Sequence, residues 1–277
     1  MTRIRKAVIP AAGHGTRFLP VTKAVPKEML AVIDKPALHY IAKEAADSGI
    51  EEILVIISPD KEIIRHYFGA GEAECVAERE LNDLIGQVKF RFAVQEKACG
   101  TANAVMLAKE FTGDEPFVVM YGDDVIVNDN GKPCVAQLAD AYAKVGKTVL
   151  GVQERAPEEA VKYAVIEKGE TVGNLTRVLD IIEKPSDVNN LPSTLSSLGR
   201  YILTPDIYPA IERAPQFRGE KYLTHAIGLL IPDGVYACAF EGARYDIGDK
   251  FGYVQANVEM GLRRFGDKMR NYLATLV

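Results

Sequence analysis

The 277-residue chain has no tryptophan, only four cysteines and four histidines, and no block of like charge. Each shortage removes a class of function. Cys75, Cys99, Cys134 and Cys238 lack CxxC spacing, so neither a disulfide framework nor a zinc site is expected, in keeping with a reducing cytoplasm. His14, His39, His66 and His225 share no helix face and no ligand spacing, which leaves each as a structural or solvent-exposed residue. No apolar stretch approaches the roughly 18 residues of a membrane span, the longest being short runs such as Ile53 to Ile57. Arg3, Arg5 and Lys6 ahead of Ala7 to Ala12 imitate a signal peptide. The apolar part holds Pro10, however, and stops within about six residues, so the segment is read as a first strand. A net charge of −5, from 33 Lys and Arg against 38 Asp and Glu, excludes a broad basic surface for nucleic acid or anionic membrane. Any anion site must be built locally.

What is present is core material: 48% of residues are hydrophobic and 26% charged, the balance of a globular protein. β-type runs at Ile4 to Ile9, Ile53 to Ile57, Val88 to Val94, Phe117 to Tyr121 and Thr148 to Val152 alternate with helical stretches. These stretches lie at Pro36 to Ser48, Lys61 to Phe68, Thr101 to Glu110 and Pro133 to Val145. Near-continuously apolar strands in βαβα order predict a parallel sheet covered on both faces. The second half changes pattern. Tyr163 to Glu167, Asn174 to Glu183 and Ser197 to Leu203 read as strands joined by turns, an antiparallel insertion. Helices at Pro205 to Glu212 and Tyr222 to Leu230, strand Val235 to Phe240 and a last helix from Lys250 to about Phe265 then close the fold. Val254, Val258 and Leu262 on one face of that helix predict core packing. With no Gly, Ser or Pro linker, one α/β domain over residues 1–277 is expected.

The first strand runs into Pro10-Ala11-Ala12-Gly13-His14-Gly15-Thr16-Arg17-Phe18. A Gly-rich turn at the C-terminal end of a strand lets backbone N–H groups face an anion, at the edge where α/β sheets bind ligands. A dinucleotide fingerprint would need a third glycine where Phe18 stands and an immediate helix, which Pro20 and Pro26 forbid. A P-loop fails as well, because no Gly-x4-Gly-Lys-Ser/Thr is present. A plain tight turn leaves unexplained why Arg17, Lys23 and Lys27 follow the glycines so closely in an acidic protein.

Gly13-x-Gly15-Thr16-Arg17 is followed by Pro20, Thr22-Lys23-Ala24, Pro26-Lys27-Glu28-Met29-Leu30 and Asp34-Lys35-Pro36. Together these resemble the N-terminal signature of the sugar-nucleotide pyrophosphorylases, closest to the bacterial uridylyltransferases. Gly199-Arg200-Tyr201-Ile202-Leu203-Thr204-Pro205 and Arg244-Tyr245-Asp246-Ile247-Gly248-Asp249-Lys250 extend the resemblance over about residues 3 to 265. It implies the nucleotide-diphospho-sugar transferase fold, Rossmann-like with a mixed, mainly parallel central sheet. The nucleotide-binding half would be about 1–125, and the sugar-binding half plus C-terminal helix about 126–277. It also implies Mg²⁺-assisted conversion of UTP and glucose 1-phosphate to UDP-glucose and pyrophosphate by a cytoplasmic homo-oligomer, dimer or tetramer.

That reaction is an in-line displacement at the α-phosphorus by an oxygen that is already anionic, so it needs cations, amides and metal-holding carboxylates and no side-chain base. The resemblance distributes these roles. Ala11, Ala12, Gly13, Gly15, Thr16, Glu28, Gln95 and Gly100 surround the nucleotide, Lys27 neutralises the transferring phosphate and Arg17 grips pyrophosphate. Asp123 and Asp246 hold Mg²⁺. Asp124, Ala164, Glu183 and Gly199 surround the sugar, and Lys184 takes its 1-phosphate. Taken alone, Gly122-Asp123-Asp124 reads more readily as a turn than as a metal site, and Glu183-Lys184 reads equally as a solvated strand end.

Three segments depart from the family pattern: Lys97 to Asn103 at the nucleobase, Ala164 in place of a glycine, and Gly219 to Ala226. They leave open the same chemistry with dTTP or another sugar 1-phosphate, and a non-catalytic regulator that binds nucleotide sugars.

Overall fold

The structure is a computed structural model that describes residues 3–69, 76–217 and 219–276. Cys75 lies outside the described residues, and the other three cysteines are free thiols. The core is one nine-stranded sheet. Its strands in chain order are β1 (Lys6–Pro10), β2 (Glu52–Ile57), β3 (Lys89–Val94), β4 (Phe117–Met120), β5 (Thr148–Glu154), β6 (Ala164–Val172), β7 (Leu175–Glu183), β8 (Leu195–Leu203) and β9 (Val235–Ala239). They lie side by side in the order β3-β2-β1-β4-β8-β5-β9-β7-β6. The four strands from β3 to β4 are parallel, β8 runs antiparallel between β4 and β5, β9 is parallel to β5, and β7 is antiparallel to β9 and β6. This is the mixed α/β sheet that the resemblance implies: the alternation of the first half accounts for its parallel strands, and the strands read in the second half are its antiparallel portion, with β8 set inside the central sheet.

Successive residues of the buried strands serve opposite faces. Ala7 and Ile9 join the core beneath helices Ala37–Asp47 and Cys134–Val145. Val8, between them, joins the core beneath Thr101–Met106, Ile207–Arg213 and Leu223–Gly228. A strand whose every residue must be apolar is what a doubly covered sheet requires. Among the described residues no helix is long and apolar enough to cross a membrane.

The helix expected over Thr101 to Glu110 is two helices, Thr101–Met106 and Lys109–Thr112. Leu107 N–H and Ala108 N–H instead bond the carbonyls three residues back, which tightens the chain where no Pro or Gly marks a break. The C-terminal helix Lys250–Phe265 does not close the fold, because Asp267–Ala274 follows it. Its packing also differs from the expectation. Val254 is 54% exposed, and the helix docks through Gly252, Ala256 and Gly261. Gly252 sits where a Cβ would strike the Asp246 carbonyl, so close approach of backbones sets the buried face in place of bulky side chains. Helix Val76–Gln87 has no counterpart in the expectations above.

The antiparallel portion curls the sheet back on itself. β6 pairs with β8 as well as β7, with Ser197 opposite Ala164 and Glu183 also opposite Ala164. The start of β6 and the end of β7 therefore reach the rim where β1, β4 and β5 terminate. A separate two-stranded pair, Asp124–Val127 with Ala243–Asp246, places Asp246 opposite Asp124 in register.

Candidate active site

A cavity of about 1090 Å³ opens at this rim, a volume ample for a nucleotide and a small second substrate. Ala12, Gly13, Arg17, Lys27, Glu28, Gln95 and Gly100 line one part of it. Asp123, Asp124, Ala164, Glu183, Lys184, Gly199 and Asp246 line the rest. Three expected residues are not in the lining. Ala11 is buried behind it, Gly15 accepts a hydrogen bond from the Thr22 hydroxyl (3.0 Å), and Thr16 begins a short 3-10 turn.

Lys61, which sequence reasoning did not single out, fixes the Gly-rich loop. Its buried ammonium donates to the carbonyls of Ala11 and Gly13, both at 2.6 Å, and pairs with Glu28 at 2.8 Å. Burial raises the Glu28 pKa, and Lys61 opposes that rise only in part. Its chain position, four residues past a strand end, carries no local pattern that would have marked it.

Asp123 and Asp246 converge although 122 residues lie between them. The Ile247 N–H bonds the Asp123 carbonyl at 2.9 Å, and the Gly248 N–H bonds Asp246 Oδ1 at 3.0 Å. A Cβ at Gly248 would lie 2.5 Å from Asp123 Oδ2, 2.9 Å from Arg17 Nη2 and 3.1 Å from Asp246 Oδ1, so the three groups share one small space. Lys27 pairs with Asp123. Burial opposes charge on both partners, yet the pairing prevails: the Lys27 pKa is raised by Asp123 and Glu28, and that of Asp123 is lowered by Lys27 and Arg17.

Among the described residues no cluster of three or more His, Cys, Asp or Glu side chains forms a complete metal cage. Two convergent carboxylates still suit a hard divalent ion that takes its remaining ligands from substrate phosphates and water. The donor set therefore fits such a metal, with Asp123 and Asp246 as the residues to hold it.

The other half of the cavity is built on buried ion pairs. Arg244 pairs with Asp124 and lies 3.6 Å from Asp246. Its Nη1 also donates to the Tyr163 hydroxyl at 2.6 Å, which in turn donates to Asp246 at 3.0 Å. Burial pushes the Asp124 carboxyl up to about 6 against the pull of Arg244, with Asp246 and Asp123 adding to the rise. Arg244 stands two residues before Asp246 in the quoted motif, and the even spacing on a strand was the available signal for it.

Beneath these, fully buried Arg200 grips Glu44 at 2.6 Å and donates to the carbonyls of Asp124 (2.8 Å) and Gly199 (3.1 Å). Arg200→Met would strand the Glu44 carboxylate. It should cost about 3–5 kcal/mol of stability in urea titration.

Gly199 has φ +50°, and a Cβ there would fall on the Asp124 carboxylate. Gly199→Ala should therefore lose about 1–3 kcal/mol in the same titration. It should also lower turnover, because Asp124 must move.

Glu183 accepts from the Thr224 hydroxyl at 2.7 Å and has Lys184 Nζ at 3.7 Å. Lys184 is exposed, held in the left-handed region at φ 45°, with its ammonium 5.7 Å from the Tyr222 ring centre. Strain of this kind is retained where the surrounding structure fixes a side chain. Gln95 is buried beside the Cys99 thiol at 3.9 Å, and at Gly100 (φ +103°) a Cβ would strike the Lys221 carbonyl.

Chemically, the cavity offers loop amides and cations at one end, paired carboxylates in the middle, and the hydrogen-bonding Glu183 acid with the exposed Lys184 ammonium beside it at the other. That arrangement can hold a polyphosphate, a divalent ion and a phosphorylated polyol together.

The chain matches the nucleotidyl transferase family model over residues 6–261. It is 42% identical over 274 residues to UTP–glucose-1-phosphate uridylyltransferase 2 of Staphylococcus saprophyticus, covering 95% of this chain and 94% of that protein. It is 40% identical to the uridylyltransferase YngB of Bacillus subtilis, covering 98% and 93%. Among solved structures, a UDP-glucose pyrophosphorylase complexed with UDP-glucose superposes with a TM-score of 0.89 at 32% identity, over 94% of this chain and 99% of that one. The UTP-bound enzyme from Acinetobacter baumannii gives 0.87 at 29%, over 99% and 100%. The chain belongs to the nucleotidyl transferase family, among the UTP–glucose-1-phosphate uridylyltransferases.

Proposed function

We propose that the protein transfers the uridylyl group of UTP to glucose 1-phosphate, releasing pyrophosphate and forming UDP-glucose. The observation that carries this reading is the meeting of Asp123, Asp246, Lys27 and Arg17 about Gly248, with Glu183 and Lys184 across the same cavity.

A phosphate oxygen of glucose 1-phosphate attacks the α-phosphorus, the bond to the β-phosphate bridging oxygen breaks, and pyrophosphate leaves with the electron pair. The nucleophile is already anionic, so the protein's contribution is alignment and charge neutralisation. Lys184 holds the sugar phosphate, Glu183 and Asp124 accept from sugar hydroxyls, and Ala164 and Gly199 form the wall behind them. Lys27 offsets charge on the transferring phosphate, and Arg17 grips the departing pyrophosphate. Gly13 presents loop amides to the phosphates, with Ala12, Glu28, Gln95 and Gly100 around the nucleoside.

The family works with a divalent metal. We take it here to be Mg²⁺ on Asp123 and Asp246, where it supplies charge neutralisation to the phosphates. In this reading residues up to about 125 serve the nucleotide and those after it mainly the sugar, within one domain. The enzyme would be a cytoplasmic homo-oligomer, dimer or tetramer. Free Cys99, Cys134 and Cys238 support the compartment, and exposed Phe265, Tyr272 and Leu276 support self-association.

Pyrophosphate release measured across UTP, dTTP, CTP, ATP and GTP with glucose 1-phosphate tests the reading. UTP should give the largest kcat/KM. No release with any nucleotide would overturn it, and dTTP surpassing UTP would reassign the base.

A further inference from the structure

Six cationic side chains line the cavity: Arg17, Lys27, Arg155, Lys162, Lys184 and Arg244. Four have a carboxylate partner: Lys27 with Asp123, Lys162 with Glu159 at 2.7 Å, Lys184 with Glu183 at 3.7 Å, and Arg244 with Asp124. Arg17 and Arg155 make no ion pair with any described residue. A nucleoside triphosphate accounts for Arg17, which stands beside the Gly-rich loop. In glucose 1-phosphate the only anionic group is the phosphate, already assigned to Lys184, and the uncharged sugar ring offers no charge partner for Arg155.

Arg155 follows β5 and is pinned to the rim by its N–H on the Thr194 carbonyl at 3.1 Å. It stands at the sugar end, close enough to Asp124, Glu159 and Arg244 to feel their charges, but Asp124 is already committed to Arg244 and Glu159 to Lys162. Its Nη2 donates to Gln153 at 2.8 Å, while its Nε is buried and has no hydrogen-bond partner. A half-buried guanidinium with an idle Nε donor and no carboxylate in ion-pair contact is under-satisfied until a ligand completes it.

We propose that the sugar half of the site accepts a hexose 1-phosphate bearing a second anionic group, a hexuronic acid 1-phosphate, and that Arg155 recognises its carboxylate. This rests on the uridylyl-transfer reading above. The bonds made and broken are unchanged. A 1-phosphate oxygen attacks the α-phosphorus of UTP, pyrophosphate departs, and the carboxylate is carried unreacted into a UDP-hexuronate. The planar guanidinium matches a carboxylate in two parallel hydrogen bonds, which sets this anion apart from a hydroxyl at the same position.

The test is kcat/KM with UTP for glucuronic acid 1-phosphate, galacturonic acid 1-phosphate and glucose 1-phosphate in wild type, Arg155→Gln and Arg155→Lys. Dissociation constants for UDP-glucuronate and UDP-glucose are measured alongside. Wild type should use at least one uronate within about tenfold of glucose 1-phosphate. In Arg155→Gln the uronate-to-glucose ratio should fall about 10–30-fold, with Arg155→Lys intermediate, because a charge-assisted contact is lost. The preference for UDP-glucuronate in binding should fall in parallel. Use of glucose 1-phosphate with neither uronate converted would overturn the proposal and leave the uridylyl-transfer reading standing. An unchanged ratio in Arg155→Gln would overturn the role of Arg155. Turnover of none of the three would overturn both readings. If Arg155→Gln fails to fold, wild-type uronate turnover and the two wild-type dissociation constants decide.

Discussion

Asp246→Asn should lower turnover by roughly 10³-fold or more while leaving the protein folded, the size of loss that follows when a main electrostatic element of a polar site is removed. Asparagine keeps the volume: its amide oxygen can still accept from the Gly248 N–H in the place of Oδ1, and its NH2 in the place of Oδ2 can donate to the Tyr163 hydroxyl, both partners standing at 3.0 Å in the native site. Arg244 keeps Asp124 as its principal partner. Stability should therefore change by no more than about 1 kcal/mol in urea titration. What disappears is one of the two carboxylate charges about Gly248. Raising Mg²⁺ should recover part of the lost rate, since the defect includes weaker metal retention. Wild-type turnover by this variant at limiting Mg²⁺ would refute the assignment.

Lys184→Ala should raise KM for glucose 1-phosphate about 10–100-fold while UTP binding, followed by calorimetry, stays within about twofold. The estimate is that of losing one charge-assisted hydrogen bond to phosphate. The backbone helps to isolate the effect. Alanine at φ 45° bears the same kind of left-handed strain as lysine, so the substitution removes the ammonium without relieving the turn. Lys184 is exposed and contributes little packing, so folding is unaffected. Equal losses for both substrates would place Lys184 outside the sugar-phosphate subsite.

These residues show what a linear chain can and cannot disclose. The strands of the first half were legible because β1, β2 and β4 are buried on both faces and are apolar beyond their first residues, Lys6 in β1 and Glu52 in β2. The Gly-rich loop was legible because Gly13 and Gly15 follow a strand and Pro20 and Pro26 exclude a helix. The convergence of Asp123 and Asp246 was not readable from spacing. It depends on the pairing of Asp124–Val127 with Ala243–Asp246, a long-range register with no local signal. The resemblance supplied the pair, and the fold supplies the reason.

Lys61, Arg200 and Arg155 escaped for a related cause. Each is a charged residue in or beside a regular element, where local pattern suggests a surface position. Only the tertiary structure reveals that Lys61 and Arg200 are buried and that Arg155 turns into the cavity. The C-terminal helix misled in the opposite sense. Val254 looked like core, whereas Gly252, Ala256 and Gly261 form the contact, because small residues permit an approach that a valine ridge would block.

Uridylyl transfer is tested most directly by following the α-phosphorus itself. The enzyme is incubated with UTP radiolabelled at the α-phosphate, glucose 1-phosphate and Mg²⁺, and the products are separated. The label should appear in UDP-glucose with one equivalent of unlabelled pyrophosphate, and it should return to UTP when excess pyrophosphate is added. Label recovered in UMP, or remaining in UTP while the protein is folded and binds nucleotide, would contradict the proposed reaction.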